Sequence, residues 1–407
     1  MKHKRYKIKT LMSERPQLVL KQGKEQSLNR FHPWIFSGAV KGVKGPELNE
    51  GDLVDVLDSQ ENFLATGHYI IGSIAVRILS FKQENIDYTF WKNRIQNAYD
   101  LRRSNGLIDN EHTNAFRLVH GEGDYLPGLI IDFYNGTAVV QMHTVGMYLQ
   151  KDTIAKVLQE VLGDSLQSIF NKSEGTMPYK ADIEAVNGYI YGKSSEKIAL
   201  ENGLKFKVDW ERGQKTGFFV DQRENRSLIE HYSKGCEVLN MFCYTGGFSF
   251  YAMRGGAKSV HSVDSSERAI QITNDNVELN FPGDNRHESF AVDAFKYLNK
   301  IKDKYDLIIL DPPAFAKHIN VVKNALQGYR RLNAKALEQI RSGGILFTFS
   351  CSQVISKEQF RTMVFSAAAR AGRKVRILQQ LTQPADHPVD IYHPEGEYLK
   401  GLVVYVE

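Results

Sequence analysis

The first eighty residues read as short runs of apolar positions, alternating or continuous, broken by Gly and Asn. "QLVLKQG", "GDLVDVLD", "NFLATGHYI" and "SIAVRILSF" each have the period or the β-branched content of a strand. Together they predict a small β-barrel over residues 16–80. Between the first two lies "RFHPWIFSGAV", where Pro33 and its aromatic neighbours suggest a rigid, exposed corner. From Phe90 the period lengthens. "FWKNRIQNAYDLRRSNG" spaces its apolar residues three and four apart and ends in Asn-Gly, the pattern of a helix with its stop signal. Strand-like segments follow in "FRLVHGEGDYLPGLIIDFYNGTAVVQMH", with a hairpin signal at Asn135-Gly136, and then a helix in "DTIAKVLQEVLG". Residues 81–190 therefore predict an α+β unit. A second hairpin, "KIALENGLKFKVDW", turns at Asn202-Gly203 and opens a region running to residue 407.

From Cys236 strands and helices alternate: "EVLNMF", a glycine loop with a helix, "SVHSVD", "SERAIQITNDNVELN", "ESFAVD", a helix, "YDLIILD", a helix, "GILFTFS". Such alternation predicts parallel strands joined by right-handed crossovers, a doubly wound α/β domain. In that architecture ligands bind at the carboxyl ends of the strands. The residues that stand out chemically all lie at such ends.

Composition changes this picture little. Hydrophobic residues make up 42% and charged residues 24%, as in ordinary globular chains. No apolar run approaches the ~18 residues of a membrane span, and the basic start "MKHKRYKIKT" is followed by no apolar segment of signal-peptide type. A cytoplasmic protein is expected. Cys236, Cys243 and Cys351 have no metal-ligand spacing, which agrees with a reducing compartment and predicts no metal site. Charge is uneven. Residues 1–30 hold nine Lys or Arg against Glu14 and Glu25, whereas the whole chain has a net charge of +5. A basic tail over residues 1–15 on a near-neutral body suits a polyanion, and equally suits a solvated terminus.

The strand "VLNMF" runs into "CYTGGFSF", where Gly246 and Gly247 allow a tight turn close to a ligand. The spacing is not the G-x-G-x-x-G of dinucleotide sites. Eighteen residues after Gly246 the next strand ends in Asp264, placed for ribose hydroxyls, and the following strand ends in Asp293. The alternative is that both acids cap loops. This half of the chain resembles the class I S-adenosylmethionine-dependent methyltransferases. The resemblance implies a cofactor site drawn from Phe242, Tyr244, Thr245, Gly246, Gly247, Asp264, Ser265, Asp293, Ala294 and Asp311. Asp264 would meet the ribose and Asp293 the adenine.

"YDLIILDPPAFAK" delivers Asp311 at a strand end, with Pro312-Pro313 fixing the backbone after it. Ala314 separates this pair from Phe315, unlike the Asp-Pro-Pro-aromatic run of amino-methyltransferases. The next strand ends "TFSCS", so Cys351 faces the same cleft. Free cysteine is often a small buried hydrophobe. Here the pairing with Asp311 suits methylation at C5 of a pyrimidine. A thiolate adds to C6, C5 becomes nucleophilic, and a carboxyl near N3 balances charge. The thiol then needs an electropositive or hydrogen-bonding surround, for which Ser350 and Ser352 are placed. Cys243 reads as a lining residue of the cofactor loop and Cys236 as structural.

"RFHPWIFSGAV", "GQKTGFFVDQRENR", "LNMFCYTGGFSFYAMRGGA", "LDPPAFAK", "TFSCS" and "DHPVDIYHPEGEYLKGL" together resemble the ribosomal RNA large-subunit methyltransferase I family. The resemblance implies a PUA-like RNA-binding barrel, a central α+β domain and a catalytic domain over 191–407. It implies an RNA cytosine-5 methyltransferase acting on large-subunit ribosomal RNA, with Cys351 as nucleophile and Asp311 as its partner. Gln214, Lys215, Thr216, Gly217 and Phe218 would lie near cofactor or base, and Lys215, Phe218, Pro312 and Phe315 would meet the substrate. Phe31 departs from the family's Gly at that position. The base that removes the C5 proton has no assignment. The C-terminal motif would line the base pocket through Asp386, His387 or Tyr398, or would simply form a final β-hairpin. Competing readings are a guanine N7 or uracil C5 RNA methyltransferase of the same fold, and a non-catalytic RNA-binding or ribosome assembly factor. A homodimer is compatible with the sequence, and no membrane partner is expected.

Overall fold

The computed structural model describes residues 15–178, 183–194, 196–316 and 318–407. Residues 1–14, which carry most of the basic tail, lie outside the described residues. Strands β1 (Gln17–Leu20), β2 (Trp34–Phe36), β3 (Val40–Lys44), β4 (Leu53–Leu57), β5 (Phe63–Tyr69) and β6 (Ile74–Ser80) form one sheet in the order β2-β6-β5-β4-β1-β3. Its edge strands, β2 and β3, are consecutive and joined by a single turn at 37–39, so the sheet curls back on itself as an open barrel. Leu18, Ile35, Val54, Val56, Val76 and Ile78 fill it. The segment expected as a corner is mostly turn, as expected, with the short strand β2 set in its middle. Ile35 points inward while Trp34 and Phe36 point out, the period-2 alternation that Pro33 had obscured.

Phe31 ends a short 3-10 turn with φ of +61°, the left-handed region that glycine enters without strain. Its half-exposed ring packs 5.3 Å from both Phe81 and Tyr392, contacts that a glycine could not make.

Helix α1 (Tyr88–Ser104), N-capped by the Asp87 side chain, leads to a second sheet. This sheet contains β7 (Ala115–His120), β8 (Leu129–Tyr134), β9 (Thr137–Met142), β10 (Ser168–Asn171) and β11 (Gly188–Gly192). Helices α2 (Val145–Leu149) and α3 (Lys151–Leu162) lie between β9 and β10. Asn135 and Gly136 both have positive φ, as a two-residue type I′ hairpin requires. Asn202 and Gly203 do the same between β12 (Ile198–Glu201) and β13 (Leu204–Lys207).

Helix α4 (Arg223–Ser233) precedes the third sheet. Its elements are β14 (Glu237–Met241), α5 (Gly247–Arg254), β15 (Ser259–Asp264), α6 (Glu267–Asn280), β16 (His287–Ala291), α7 (Ala294–Leu298), β17 (Leu307–Leu310), α8 (Val322–Gln339), β18 (Gly344–Ser350), α9 (Lys357–Ala371), β19 (Val375–Leu381) and β20 (Lys400–Val406). The order is β16-β15-β14-β17-β18-β20-β19, with β20 antiparallel to both its neighbours. β17 is buried at every position, as its unbroken "LIIL" run demands of a strand covered on both faces. Strand order reverses between β14 and β17, and the cleft opens above that point. α9 begins with a Ser356–Gln359 capping box and ends at Gly372 with φ of +66°.

The stretch "DHPVDIYHPEGEYLKGL" is not itself a hairpin. Residues 386–399 form the irregular connection between β19 and β20, and these two strands are the hairpin. The several prolines and histidines of this segment mark a loop tied down by side chains.

Candidate active site

The loop after β14 carries Phe242, Tyr244 and Gly246 at φ of +58°, +47° and +86°. Two non-glycine residues in that region cost about 1–3 kcal/mol each and persist where the surroundings fix them. Asp264 does much of the fixing. Its two carboxylate oxygens accept from the Tyr244 N–H (3.0 Å) and the Ser266 N–H (2.9 Å). Thr273 donates to the Tyr244 carbonyl, and Asn276 to that of Thr245. At Gly246 a Cβ would stand 2.5 Å from the Phe250 ring, so a side chain is excluded there.

Asp264 is thus a loop cap, and it is also half-buried at a strand end with lone pairs to spare for a diol. Asp293 is exposed. One oxygen caps α7 through the Lys296 N–H (2.9 Å). Ser265 is exposed, and Phe242 is partly buried beside the apolar core. Thr245, Gly247 and Ala294 are buried. This rim of ribose-ready carboxylate, apolar side chain and tight backbone fits a nucleoside better than a pyrophosphate. Cys243 is packed behind the loop toward Thr273, and burial pushes its thiol pKa up. The Tyr244 hydroxyl accepts from the Gln214 N–H and donates to the Gly217 carbonyl, both at 3.1 Å, which seats segment 214–218 against the loop.

Across the cleft, Asp311 ends β17 and Cys351 follows β18. Burial, with Asp221 beside it, raises the Asp311 carboxyl to about 7, against the opposing pull of Gln222 and Arg226. Burial, with Asp311 and Asp221 adjacent, pushes the Cys351 thiol up to about 12. The expected electropositive surround is therefore a correction: the resting group is a thiol among carboxylates, and Lys400 alone of the named charges opposes them. The flanking serines do not serve the thiol either. Ser352 Oγ accepts from the Ala316 N–H and bonds the Tyr329 hydroxyl, while Ser350 Oγ accepts from the Ser352 N–H.

Lys400 starts β20 directly opposite Ser350. Its buried Nζ donates to the carbonyls of Ser352 (2.6 Å) and Ile355 (2.7 Å), fixing the turn that carries Cys351. Burial lowers it to about 8. Asp221 lies in the turn before α4. Its Oδ2 accepts from the Tyr398 hydroxyl at 2.7 Å, and its buried Oδ1 has no hydrogen-bond partner among the described residues.

Among the expected substrate residues, Lys215 is exposed on a positive-φ backbone (φ +50°). Phe218 is core: its ring packs 4.7 Å from Phe206 and under Arg226, so it does not offer the base a free face. Thr216 is buried and donates to Asp132. Pro312 is buried and Pro313 is the exposed member of the pair. Phe315 is half-buried and lies on Tyr329 at 4.4 Å, folded back over α8.

Asp386 is not at the cleft. It is fully buried and accepts from both Arg223 terminal nitrogens (2.9 and 3.0 Å) and the Arg117 N–H (2.9 Å), with His387 Nδ1 at 3.1 Å. Burial alone would raise its pKa, but His387 and Arg223 outweigh that and hold it well below the carboxylate range. Arg102, paired with Asp124, donates to the Asp386 carbonyl. Loop 386–399 is thus clamped onto the second sheet, so closely that a Cβ on Gly123 would overlap the Pro388 carbonyl at 1.9 Å. Farther along, His393 packs on Trp34 (4.3 Å) and Tyr392 on Phe31, reaching the barrel.

Asp221 and Lys400 were missed from sequence. The signals were present: an acid closing the apolar run "GFFVD", and a lysine opening the apolar strand "KGLVVYV". Each is a polar residue where the pattern predicts burial.

A family model for S-adenosylmethionine-dependent methyltransferases matches residues 116–402, and one for PUA-like domains matches residues 18–81. A protein from Alteromonas mediterranea named ribosomal RNA large subunit methyltransferase I is 39% identical over 396 residues, covering 96% of this chain and 98% of its own. Its namesake from Tolumonas auensis is 41% identical over 396 residues, covering 95% and 98%. A solved Streptococcus mutans structure, classed with the S-adenosylmethionine-dependent methyltransferases, superposes with a TM-score of 0.81 at 24% identity over 96% of this chain and 99% of that one. Another, in complex with SAH, gives 0.82 at 24% identity with the same coverage. At that identity the two structures establish the fold.

Proposed function

The chain belongs to the S-adenosylmethionine-dependent methyltransferases and, within them, to the ribosomal RNA large subunit methyltransferase I family, and on that premise we propose that it forms 5-methylcytosine in large-subunit ribosomal RNA through a Cys351–C6 adduct. The observation that carries the cytosine-5 reading is Cys351 held beside Asp311, whose carboxyl near 7 keeps a proton to share with N3 of a pyrimidine. A guanine N7 transfer would use neither group.

S-adenosylmethionine, once bound, supplies an electrophilic methyl group and a sulfonium charge. The protein's residues do the rest. Asp264 orients the ribose, the Phe242–Gly247 backbone shapes the loop, and Asp293 borders the adenine. Lys400, near 8, exists partly as free amine. It takes the thiol proton as the base enters, and the resulting ammonium offsets the thiolate. Sulfur adds to C6, C5 takes the methyl group, and Asp311 shares its proton with N3. The target nucleotide must be unpaired or flipped, because a paired and stacked base cannot be approached from both faces. In this reading residues 16–80 are the RNA-binding barrel, 81–190 the central domain and 191–407 the catalytic domain of a cytoplasmic enzyme. Among the described residues no helix is long and apolar enough to cross a membrane.

The test compares ribosomal RNA nucleosides by mass spectrometry with wild type and Cys351→Ala. Wild type adds 5-methylcytosine to unmodified RNA, and Cys351→Ala adds none while still binding cofactor. With 5-fluorocytosine at the target, wild type is trapped as an adduct that survives a denaturing gel. N7-methylguanine as the product, or near-normal transfer by Cys351→Ala, overturns the reading.

A further inference from the structure

We propose that Asp221 takes the C5 proton that ends the reaction, acting through its Oδ1. The inference rests on the cysteine chemistry above and fills its missing step. After methyl transfer C5 carries both a hydrogen and the new methyl group. With the cofactor held by the loop after β14 and by Asp264 at the end of β15, the methyl would reach C5 from that side, and the hydrogen would bend toward the opposite face, where sulfur is bonded to C6. The acceptor must stand on the β18–β20 side of the cleft.

Asp221 meets that requirement by geometry. Tyr398, two residues before Lys400, holds Oδ2 at 2.7 Å, while Lys400 Nζ holds the Ser352 carbonyl next to Cys351. The other oxygen is buried without a partner among the described residues. A carboxylate oxygen left so costs stability unless it has a use. Asp221 also belongs to the set of charges that act on both Asp311 and Cys351. The alternatives are occupied. Asp311 is assigned to N3. Tyr398 donates to Asp221, and its burial makes the phenol a poorer acid still. Lys400 already carries the thiol proton while the adduct stands, and as an ammonium it has no lone pair to accept another. His387 is bonded to Asp386 in the clamp.

The step balances. The C5–H bond breaks, its electron pair forms C5=C6, and the C6–S pair returns to sulfur. The proton resides on Asp221 Oδ1 and leaves to water, and the thiolate recovers its own proton from Lys400.

The signature is a stalled adduct. Asp221→Asn, given unmodified ribosomal RNA and methyl-labelled S-adenosylmethionine, should transfer the methyl group once and fail to release it. We expect a labelled protein–RNA complex on denaturing gels, dependent on cofactor, with 5-methylcytosine release reduced about 100-fold or more. Tyr398→Phe leaves the carboxylate in place but unanchored, and should accumulate the same complex at lower yield. If Asp221→Asn does not fold, that variant decides. Turnover within threefold of wild type, or loss of turnover with no labelled complex in either variant, overturns the proposal. Transfer by Cys351→Ala instead overturns the underlying cysteine reading, a distinguishable result.

Discussion

Replacing Asp386 by Asn keeps the shape of the side chain and removes its charge. The consequence follows from what surrounds it. Arg223 is almost wholly buried, and both its terminal nitrogens donate to Asp386. In Asp386→Asn a buried guanidinium loses its counter-ion, and the new amide NH2 faces an existing donor. Removing one partner of a buried pair typically costs about 3–5 kcal/mol. With an m-value of about 2–3 kcal/mol/M in urea, a loss near 4 kcal/mol lowers the denaturation midpoint by about 1.5 M. The loss also has a pH signature. The folded carboxyl lies well below its unfolded value of about 3.9. Its stabilising contribution is therefore complete above pH ~4 and disappears as pH falls toward the folded pKa, because the unfolded chain binds the proton first. The gap between wild type and Asp386→Asn in urea titrations should be full at pH 7 and shrink below pH 4. Adding Arg223→Met to the variant removes the stranded charge and should restore part of the loss. A difference within 0.5 kcal/mol at pH 7, on the scale of an ordinary surface substitution, refutes the clamp, as does a gap that does not narrow in acid.

Two further outcomes follow from the cleft. Asp264→Ala removes the loop tie together with the proposed ribose acceptor and should weaken S-adenosylmethionine binding by about 1.5–3 kcal/mol in calorimetry, an unchanged affinity removing Asp264 from the site. In the free protein Cys351 should react slowly with iodoacetamide at pH 7.5, and mass spectrometry should show its rate still climbing above pH 9, as a thiol near 12 requires; a plateau near pH 8.5 contradicts the burial argument.

What the sequence disclosed follows from how locally each feature is encoded. Strand–helix alternation after Cys236, the Asn-Gly hairpins and the acids at strand ends are properties of adjacent residues, and the structure places them as their pattern predicts. Phe31 is legible in retrospect, since glycine is the residue that φ of +61° favours. The electrostatics were not legible. The thiol of Cys351 depends on Asp221, Asp311 and Lys400, which meet only when β20 inserts beside β18. Phe218 was expected to meet the substrate because nothing in "GQKTGFF" says which aromatic turns inward. Likewise the role of Asp386 is invisible until Arg102, Arg117 and Arg223 are brought to it from three separate stretches of chain.

Loop 386–399 touches the barrel at Phe31 and Trp34, locks into the second sheet at Asp386 and Pro388, and then delivers Tyr398 and Lys400 to the cleft. A single length of backbone thus acts as a tie-rod between the barrel and the reacting groups. The barrel is for that reason no detachable handle. Tilting it pulls on the anchors of Asp221 and of the cysteine turn together, so under the proposed function grafting on a different barrel would alter the rate of methyl transfer.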